Sequence, residues 1–328
     1  MDYDFVAFGD IVTDCFIKLK EAKVECDLDH ENCLLCVKFG QKIPFESATE
    51  VPAVGNGPNA AVAAAKLGLQ VAVATELGDD LNGKTCLEAL KKAGVATEYV
   101  GVHAGQKTNY NYVLQYEAER TILIKHELFE RSLPHFDEPP KWIYLTSLAE
   151  GTYDMQRDIA RYVKENGVKL AFQPGTFQIR SKLEELKDIY AVSEIFFCNR
   201  EEAQQILGTK ESDLKKLLSS VRELGPKIAV ITDGQNGAYI MDDSGVYHAP
   251  MYPDKAPPVN RTGAGDATAS TTVACIIKGL APKEALLRGM INASRVVQGV
   301  GAQAGLLTES QVEELYTNRP KDFQMTAI

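Results

Sequence analysis

Short apolar segments alternate with longer amphipathic segments through most of the 328-residue chain, and this alternation limits the folds that the chain can adopt. Buried strands are predicted at residues 4–8, 71–75, 142–145, 169–172, 194–198 and 228–232. Helices are predicted at residues 86–93, 153–166, 201–207, 264–278, 282–298 and 309–316. The pattern predicts an α/β fold with a mostly parallel central sheet and helices on both faces. Ligands of such folds bind beyond the carboxyl ends of the strands.

Two β-rich segments, at about residues 15–54 and 99–126, interrupt this alternation with short predicted strands. Together they predict one small β-sheet that stands off the main body and acts as a lid over the site. We therefore predict a single domain over residues 1–328, with its lid formed by these two segments. Exposed aromatic groups at Phe39, Tyr110 and Tyr112 predict that the lid also joins two chains as a homodimer, because a small sheet needs a partner to bury such surface.

Charge and hydropathy restrict the partners of the chain. A formal net charge of -10 argues against nonspecific binding to nucleic acid or to an anionic membrane. The sequence has no apolar run of membrane-spanning length, and its first residues lack the basic and apolar regions of a signal peptide. We therefore expect a cytoplasmic protein.

The chain has seven cysteines, and in a cytoplasmic protein they are predicted to be thiols rather than disulfides. Zinc is an alternative for Cys26, His30, Cys33 and Cys36, which include a Cys-x-x-Cys spacing. However, residues 33–39 resemble a strand, in which Cys33 and Cys36 would point to opposite faces. The strand pattern therefore argues against a shared metal.

A glycine-rich turn, Thr262-Gly263-Ala264-Gly265-Asp266, precedes an Ala- and Thr-rich segment predicted to be helical. Unpaired amides and the positive end of the helix dipole attract an anion, and the glycines let the backbone approach it. A carboxylate at such a site repels a phosphate unless it has a chemical role. Asp266 therefore predicts a base that takes a proton from an attacking hydroxyl. The alternative is that Asp266 only caps a helix.

A second stretch, from Gly78 to Thr85, matches the Gly-x-x-x-x-Gly-Lys-Thr phosphate-loop pattern. In that interpretation Lys84 would contact nucleotide phosphates and Thr85 would bind magnesium. Two adjacent carboxylates, Asp79 and Asp80, would lie inside the loop and repel a phosphate chain. The repulsion makes a phosphate-loop NTPase the less favoured interpretation.

Three further motifs occur in the same chain, and each has a purely structural alternative. Gly55-Asn56-Gly57-Pro58-Asn59 could be only a helix entry. Asn199-Arg200-Glu201-Glu202 could be only a capping box, and residues 232–237 only a hairpin turn. Taken in order with the turn at 262–266, these motifs resemble those of the ribokinase-like (PfkB) carbohydrate kinase family over nearly the whole chain. In that resemblance Val54 replaces the first glycine of the family's Gly-Gly pair.

The resemblance implies a ribokinase-like fold and ATP-dependent phosphoryl transfer to a hydroxyl of a sugar or sugar-like molecule. Asp266 would be the base, and the amides of Ala264, Gly265 and Asp266, in the turn that begins at Gly263, would form an anion hole. Binding roles implied for the acceptor fall on Asp14, Gly55, Asn56 and Asn59. Those implied for the nucleotide fall on Asn199, Thr232, Gly234, Gly237 and Asn292. Glu202 would organise Mg2+ indirectly, through water.

Departures from the family pattern limit which of the family's properties can be expected of this chain. Asn260 stands where the family has an aspartate that helps to hold potassium, which puts activation by a monovalent cation in doubt. Gln173-Pro174-Gly175 replaces the Asp-x-Asn of many sugar kinases, so the sugar cannot be assigned. A nucleoside kinase of the same fold is the main alternative. A sugar-binding relative without turnover is a weaker one, because Asp266 is present.

Overall fold

The computed structural model describes residues 2–27, 33–117, 119–259 and 261–328, and it contains sixteen strands within them. The strands are β1 Phe5–Phe8, β2 Val12–Leu19, β3 Lys23–Glu25, β4 Leu34–Cys36, β5 Phe45–Val54, β6 Val71–Gly78, β7 Val100–His103, β8 Tyr110–Tyr116, β9 Glu119–Leu123, β10 Trp142–Leu145, β11 Lys169–Phe172, β12 Ser193–Asn199, β13 Ile228–Thr232, β14 Ala238–Asp242, β15 Gly245–Ala249 and β16 Thr326–Ala327.

Ten α-helices accompany these strands in the described residues. They are α1 Asn56–Lys66, α2 Leu81–Lys92, α3 Tyr153–Asn166, α4 Thr176–Arg180, α5 Leu183–Val192, α6 Arg200–Leu207, α7 Leu214–Glu223, α8 Ala264–Ile277, α9 Pro282–Val296 and α10 Glu309–Thr317. Every predicted helix is present, and α1 begins at the helix entry considered for residues 55–59, whereas α4, α5 and α7 were not predicted. Helix α7 is nevertheless amphipathic, with Leu217, Leu218 and Val221 buried on one side, so its sequence did contain a signal.

The large sheet has ten strands in the order β16-β15-β14-β13-β12-β11-β10-β1-β6-β7. The seven strands from β13 to β7 in this order run parallel to one another. Strands β14, β15 and β16 extend the sheet beyond β13 with antiparallel pairing. The chain moves outward from β1 through β6 to β7, then returns beside β1 at β10 and continues the other way. A reversal of this kind opens a crevice at the carboxyl ends of the central strands.

Each face of this sheet has its own apolar core, as the alternation of strand side chains requires. One core includes Ala7, Val73 and Tyr144 of the strands together with side chains of α1, α2, α8, α9 and α10. The other includes Val6 and Phe172 together with side chains of α3, α5, α6 and α7. Helices therefore cover both faces, and the predicted fold class is confirmed.

A separate four-stranded sheet has the order β5-β2-β8-β9. Strand β2 pairs antiparallel with β5 and parallel with β8, and β8 pairs antiparallel with β9. The chain enters this small sheet twice, from β1 into β2 and from β7 into β8, and it leaves through β5 into α1 and through β9 toward β10. Its strands come from both predicted lid segments. Whether it closes over a ligand stays a prediction.

Parts of the predicted lid segments lie elsewhere. Val100–His103 pairs with β6 at the edge of the large sheet, so the second segment contributes to two sheets. Strands β3 and β4 form their own antiparallel hairpin instead of extending the small sheet. The strand predicted at residues 33–39 is limited to Leu34–Cys36.

The prediction that all seven cysteines are thiols is wrong for one pair, because Cys26 and Cys33 form a disulfide. Cys36 and four buried cysteines are thiols. The disulfide removes two of the four candidate zinc ligands, and His30 lies outside the described residues. Asn260, on which the potassium prediction depends, also lies outside them. Among the described residues, we find no helix with the length and apolar character needed to cross a membrane.

Candidate active site

Helix α8 begins directly after Gly263, whose φ of 84° lies in the left-handed region. A Cβ atom on this residue would lie 2.4 Å from the Cβ atom of Ala302, so the packing also requires glycine here. Gly263 has no side chain that could cap the helix, and the amides of the first turn therefore lie at the positive end of its dipole. The local geometry is that of an anion-binding helix start.

Gly265 serves a different purpose in the same turn. A Cβ atom added to Gly265 would lie 3.9 Å from Nε2 of Gln173, and no other described atom outside the turn itself is within 4 Å. The protein fold would therefore accept a larger residue at this position. The space over the Gly265 amide is open, and it suits a ligand that must approach the backbone closely.

Asp266 is buried in the first turn of α8, and three side-chain amides donate hydrogen bonds to its carboxylate. Asn59 donates to Oδ2 at 2.9 Å, while Asn56 and Gln173 donate to Oδ1 at 3.0 and 3.1 Å. The two asparagines lie three positions apart at the start of α1, so they share one face of that helix. The structure thus brings together three of the predicted site residues, Asn56, Asn59 and Asp266, and it adds Gln173.

Burial raises the pKa of Asp266 above its ordinary value of 3.8, and the three amide donors lower it. An ionised carboxylate in a buried site needs such donors, because it has lost its hydration. The result is a carboxylate that is more basic than one on the surface but still held in one orientation. These are the properties that a general base requires.

A cavity of about 320 Å³ adjoins the α8 start. Ala264 and Gly265 line it, as do Thr232 at the end of β13 and Gly234 and Gly237 of the loop that follows. The structure therefore places five predicted residues from two distant motifs around one cavity. The loop also connects β13 and β14 as a hairpin, with a short 3-10 helix over Gly234–Asn236. The alternative that residues 232–237 form a hairpin turn is therefore correct as a description of structure.

Two charged residues of this cavity were not predicted. Arg261 is exposed and lines the cavity immediately before the glycine-rich turn. Asp254 also lines it, and burial raises the pKa of its carboxyl group while Arg295 and Arg261 lower it. The position of Arg261 beside the turn was a signal available in the sequence, since a cation there suits a phosphate.

The prediction that Asn292 contacts the nucleotide is not supported by its position. Asn292 is 0% exposed and does not line the cavity. Its Nδ2 donates to Oγ1 of Thr271, and its Oδ1 accepts from the amide of Leu307. The neighbouring residues Ala293 and Ser294 of α9 face the cavity instead, because adjacent helix positions point in different directions.

Asn199 and Glu202 form a reciprocal capping box at the start of α6. The Glu202 amide donates to Oδ1 of Asn199, and the Asn199 amide donates to Oε2 of Glu202, both at 2.8 Å. Burial raises the pKa of Glu202, the amide of Asn199 lowers it, and the negative charge of Asp266 raises it. The capping alternative is therefore correct as a description of structure, and Glu202 also lies close enough to Asp266 for their charges to interact.

Asp14 lies on β2 of the small sheet and is 9% exposed. Asn111 of β8 donates to its Oδ1 at 3.0 Å, and burial raises the Asp14 pKa to about 6. Oδ1 of Asn111 is itself buried with no hydrogen-bond partner in the described chain. The pair therefore presents acceptor atoms that a hydroxyl-bearing ligand could satisfy.

In the rival phosphate-loop stretch, the helix start that would bind a phosphate is already capped by an aspartate. Asp80 is the N-cap of α2, where its Oδ1 accepts hydrogen bonds from the Gly83 amide at 2.9 Å and from Oγ1 of Thr108 at 2.7 Å. Thr85 directs its hydroxyl back to the carbonyl of Leu81. Because a carboxylate already occupies the helix start, a phosphate would have to displace it.

Comparisons with known proteins agree with this geometry. A model of the pfkB family carbohydrate kinases matches residues 20–309. Ribokinase from Bacillus subtilis is 26% identical over 286 residues, which cover 85% of this chain and 92% of the relative. A nucleoside kinase from Methanothermobacter thermautotrophicus is 24% identical over 319 residues, covering 96% of both chains. The structure of Arabidopsis thaliana ribokinase complexed with ribose and ATP has the same fold, with a TM-score of 0.81, 21% identity and coverage of 96% of this chain and 99% of that one.

Proposed function

The chain belongs to the pfkB family of carbohydrate kinases, and we propose that it transfers the γ-phosphoryl group of ATP to a hydroxyl of a sugar or sugar-like small molecule. One observation carries this proposal. The first turn of α8 lines the 320 Å³ cavity with Ala264 and Gly265, and it also holds the buried carboxylate of Asp266, which α1 contacts. A donor phosphate in the cavity and an acceptor hydroxyl at Asp266 would then meet at one helix start.

Asp266 is the proposed base of this reaction. A hydroxyl hydrogen-bonded to its carboxylate would lose its proton as the oxygen attacks phosphorus. The proposed anion hole consists of the amides at the start of α8, which donate to oxygens where negative charge develops. Gly263 is proposed to set the orientation of these amides, and Gly265 to leave them accessible.

The donor is proposed to be ATP, because three of the five predicted nucleotide residues line a cavity within the usual size range of small-molecule sites, about 300–1,000 Å³, whereas Asn199 does not line it. Thr232, Gly234 and Gly237 would contact the nucleotide, and Arg261 would contact its phosphates. Asn292 is omitted from this group, since its amide is used within the core.

Mg2+ is the proposed cofactor, and when bound it would neutralise charge on the phosphate oxygens. The described chain has no cluster of three or more carboxylate, histidine or cysteine side chains that could hold a metal by themselves. Glu202 fits an outer role, because one of its oxygens is held by the Asn199 amide and its charge interacts with that of Asp266. It would orient water around the ion, in keeping with the reluctance of Mg2+ to lose water.

The acceptor is proposed to be a polyhydroxylated molecule bound between α1 and the small sheet. Asp14 and Oδ1 of Asn111 offer hydrogen-bond acceptors, and Asn56 is half-buried at the mouth of the site. Gly55 would contribute through the backbone at the start of α1. A free sugar and the ribose of a nucleoside both have the required hydroxyl groups, so nucleosides remain within the proposal.

A panel assay tests the proposed reaction. Purified protein, ATP and Mg2+ are incubated with pentoses, hexoses, sugar phosphates and nucleosides, and the phosphorylated product is identified by mass spectrometry. We expect product from at least one polyhydroxylated acceptor, and its formation should be slower by roughly 10²-fold or more with the Asp266→Asn variant. ATP turnover that continues unchanged in Asp266→Asn would contradict the proposal.

A further inference from the structure

Two chains of hydrogen bonds hold the Asp266 carboxylate from opposite sides. On one side, the hydroxyl of Tyr144 donates to Oε1 of Gln173, whose Nε2 donates to Oδ1 of Asp266 at 3.1 Å. On the other, Nε2 of Gln303 donates to Oδ1 of Asn59 at 3.0 Å, and Nδ2 of Asn59 donates to Oδ2 of Asp266. Each oxygen is thus held by an amide that is itself held by a further donor.

We propose that Tyr144 and Gln173 are positioning residues for the reaction, because they fix the orientation of the Asp266 carboxylate. Of the three amides that contact this carboxylate, that of Asn56 is then the one that an acceptor hydroxyl displaces. This inference rests on the proposed role of Asp266 as the base. Tyr144 acts only through Gln173, since its hydroxyl contacts the glutamine and not the carboxylate. Gln173 occupies the position where the sequence departed from the Asp-x-Asn pattern.

The direction of each hydrogen bond follows from the chemistry of the partners. An ionised carboxylate only accepts, so Gln173 must present its NH2 group to Asp266 and its carbonyl oxygen to Tyr144. Tyr144 must therefore remain protonated as a donor. Burial raises its pKa well above 10.0, and the charge of Asp266 raises it further, so the hydroxyl keeps its proton throughout the working pH range.

Asn56 differs from the other two amides that contact Asp266. It is half-buried, and among the described residues only the Asp266 carboxylate holds its side chain. Asn59, by contrast, is anchored by Gln303, which also donates to the carbonyl of Ala53 at 2.8 Å. An acceptor hydroxyl can therefore replace Asn56 on Oδ1 without breaking either chain of hydrogen bonds.

The proposal predicts how the titration of Asp266 changes. Titratable groups whose charges interact with Asp266 are Tyr144 and Glu202, and the remaining contacts are neutral amides. Removing the Gln173 donor destabilises the ionised form, so the pKa of Asp266 rises. The loss of one hydrogen bond to a charged group corresponds to a shift of about one pH unit.

An infrared titration with ¹³C-labelled aspartate tests this shift without requiring an acceptor. The Asp266 carboxyl band is assigned by its loss in Asp266→Asn, and its midpoint is compared in the unmodified protein, Gln173→Leu and Tyr144→Phe. Tyr190→Phe is the matched control, because Tyr190 is another deeply buried tyrosine in the same fold and packs on Phe172 and Phe196. We expect the midpoint to rise by about one unit in Gln173→Leu, by less in Tyr144→Phe and not at all in Tyr190→Phe.

Turnover of the acceptor that the panel identifies gives the second readout. The acid limb of the pH–rate profile should move in the same direction, and Tyr144→Phe should have no further effect in a Gln173→Leu background, because the tyrosine acts through the glutamine. Additive effects of the two substitutions, or an unmoved infrared midpoint in Gln173→Leu, would overturn the positioning role. If Asp266→Asn keeps its turnover, the proposed function fails instead, whatever the infrared result.

Discussion

The side-chain amide of Asn59 donates a 2.9 Å hydrogen bond to Oδ2 of Asp266, although the two residues lie 207 positions apart in the chain. The bond joins the first turn of α1 to the first turn of α8. Both helices begin at the carboxyl side of the central strands, where a crevice is expected. The contact therefore unites the predicted acceptor motif with the predicted base.

Replacing Asp266 by asparagine tests the base directly. The substitution retains the shape of the side chain but removes its ability to accept a proton. We expect ATP binding to stay nearly unchanged and turnover to fall by roughly 10²-fold or more, the scale expected for a lost general base. Calorimetric titration with ATP and a coupled kinase assay measure the two quantities. Near-native turnover in the variant would refute the role of Asp266.

Alanine substitutions at Gly265 and Gly263 should separate ligand binding from folding. Gly265→Ala places a Cβ atom in open space, 3.9 Å from Gln173, so the melting temperature should hardly change while turnover falls at least tenfold. Gly263→Ala requires φ of 84° and a Cβ atom 2.4 Å from that of Ala302, so it should lose about 1–3 kcal/mol of stability or more. Equal losses of stability in the two variants would argue against this distinction.

Lys84→Ala tests the rival phosphate loop. Lys84 is exposed at the start of α2, where the Asp80 carboxylate already occupies the amides, so ATP affinity should be unchanged. Asp80→Ala should lower stability by about 1 kcal/mol through loss of the helix cap, again without affecting ATP. ATP affinity is measured by calorimetry and stability by urea unfolding. Loss of nucleotide binding in Lys84→Ala would favour the phosphate loop instead.

Asp14→Asn should stabilise the protein at neutral pH. Burial raises the Asp14 pKa to about 6 from 3.8, so the folded state binds a proton between these values that the unfolded state has lost. The free energy of unfolding therefore falls by up to about 3 kcal/mol as pH rises from about 3.8 to about 6, and this loss of stability persists at higher pH. The Asp14→Asn variant should therefore have a higher free energy of unfolding than the native protein at pH 8. Near pH 3 the two proteins should have almost the same free energy of unfolding.

Urea unfolding at both pH values measures the Asp14 effect. Asp137→Asn is the control, because the Asp137 side chain is 94% exposed and should alter stability at neither pH. The same Asp14 variant should raise KM for the acceptor if Asp14 binds it. A variant that is less stable than the native protein at pH 8 would contradict the burial argument.

The small sheet is predicted to pair two chains. Tyr112 and Leu123 face each other across β8 and β9, are each about half exposed, and share a surface hollow with Ile124. Light scattering should give about twice the chain mass of 35.9 kDa. Leu123→Lys should reduce it to one chain mass, whereas Leu183→Lys on α5 should not. A monomeric mass for the unmodified protein at micromolar concentration would remove the dimer prediction.

Local patterns in the sequence were sufficient for most of the secondary structure. The strand Trp142–Leu145 and the helix Tyr153–Asn166 occupy the predicted residues, because apolar period and turn residues act over a few positions. The same patterns could not show whether Asn292 or one of its neighbours in α9 faces the cavity. It lies in a motif that resembles a nucleotide site, yet the packing of α9 turns it toward Thr271 in the core.

The sequence by itself determined the alternating elements, the glycine-rich start of α8 and the identity of the proposed base, since each depends on neighbouring residues. Only the tertiary structure decided that Gln173, Tyr144 and Gln303 belong to the same site. These residues lie far apart in the chain, and none has a local pattern typical of catalysis. Their hydrogen bonds exist because the sheet order places β10 beside β1 and brings the ends of distant strands to one crevice, a relationship that no short stretch of sequence contains.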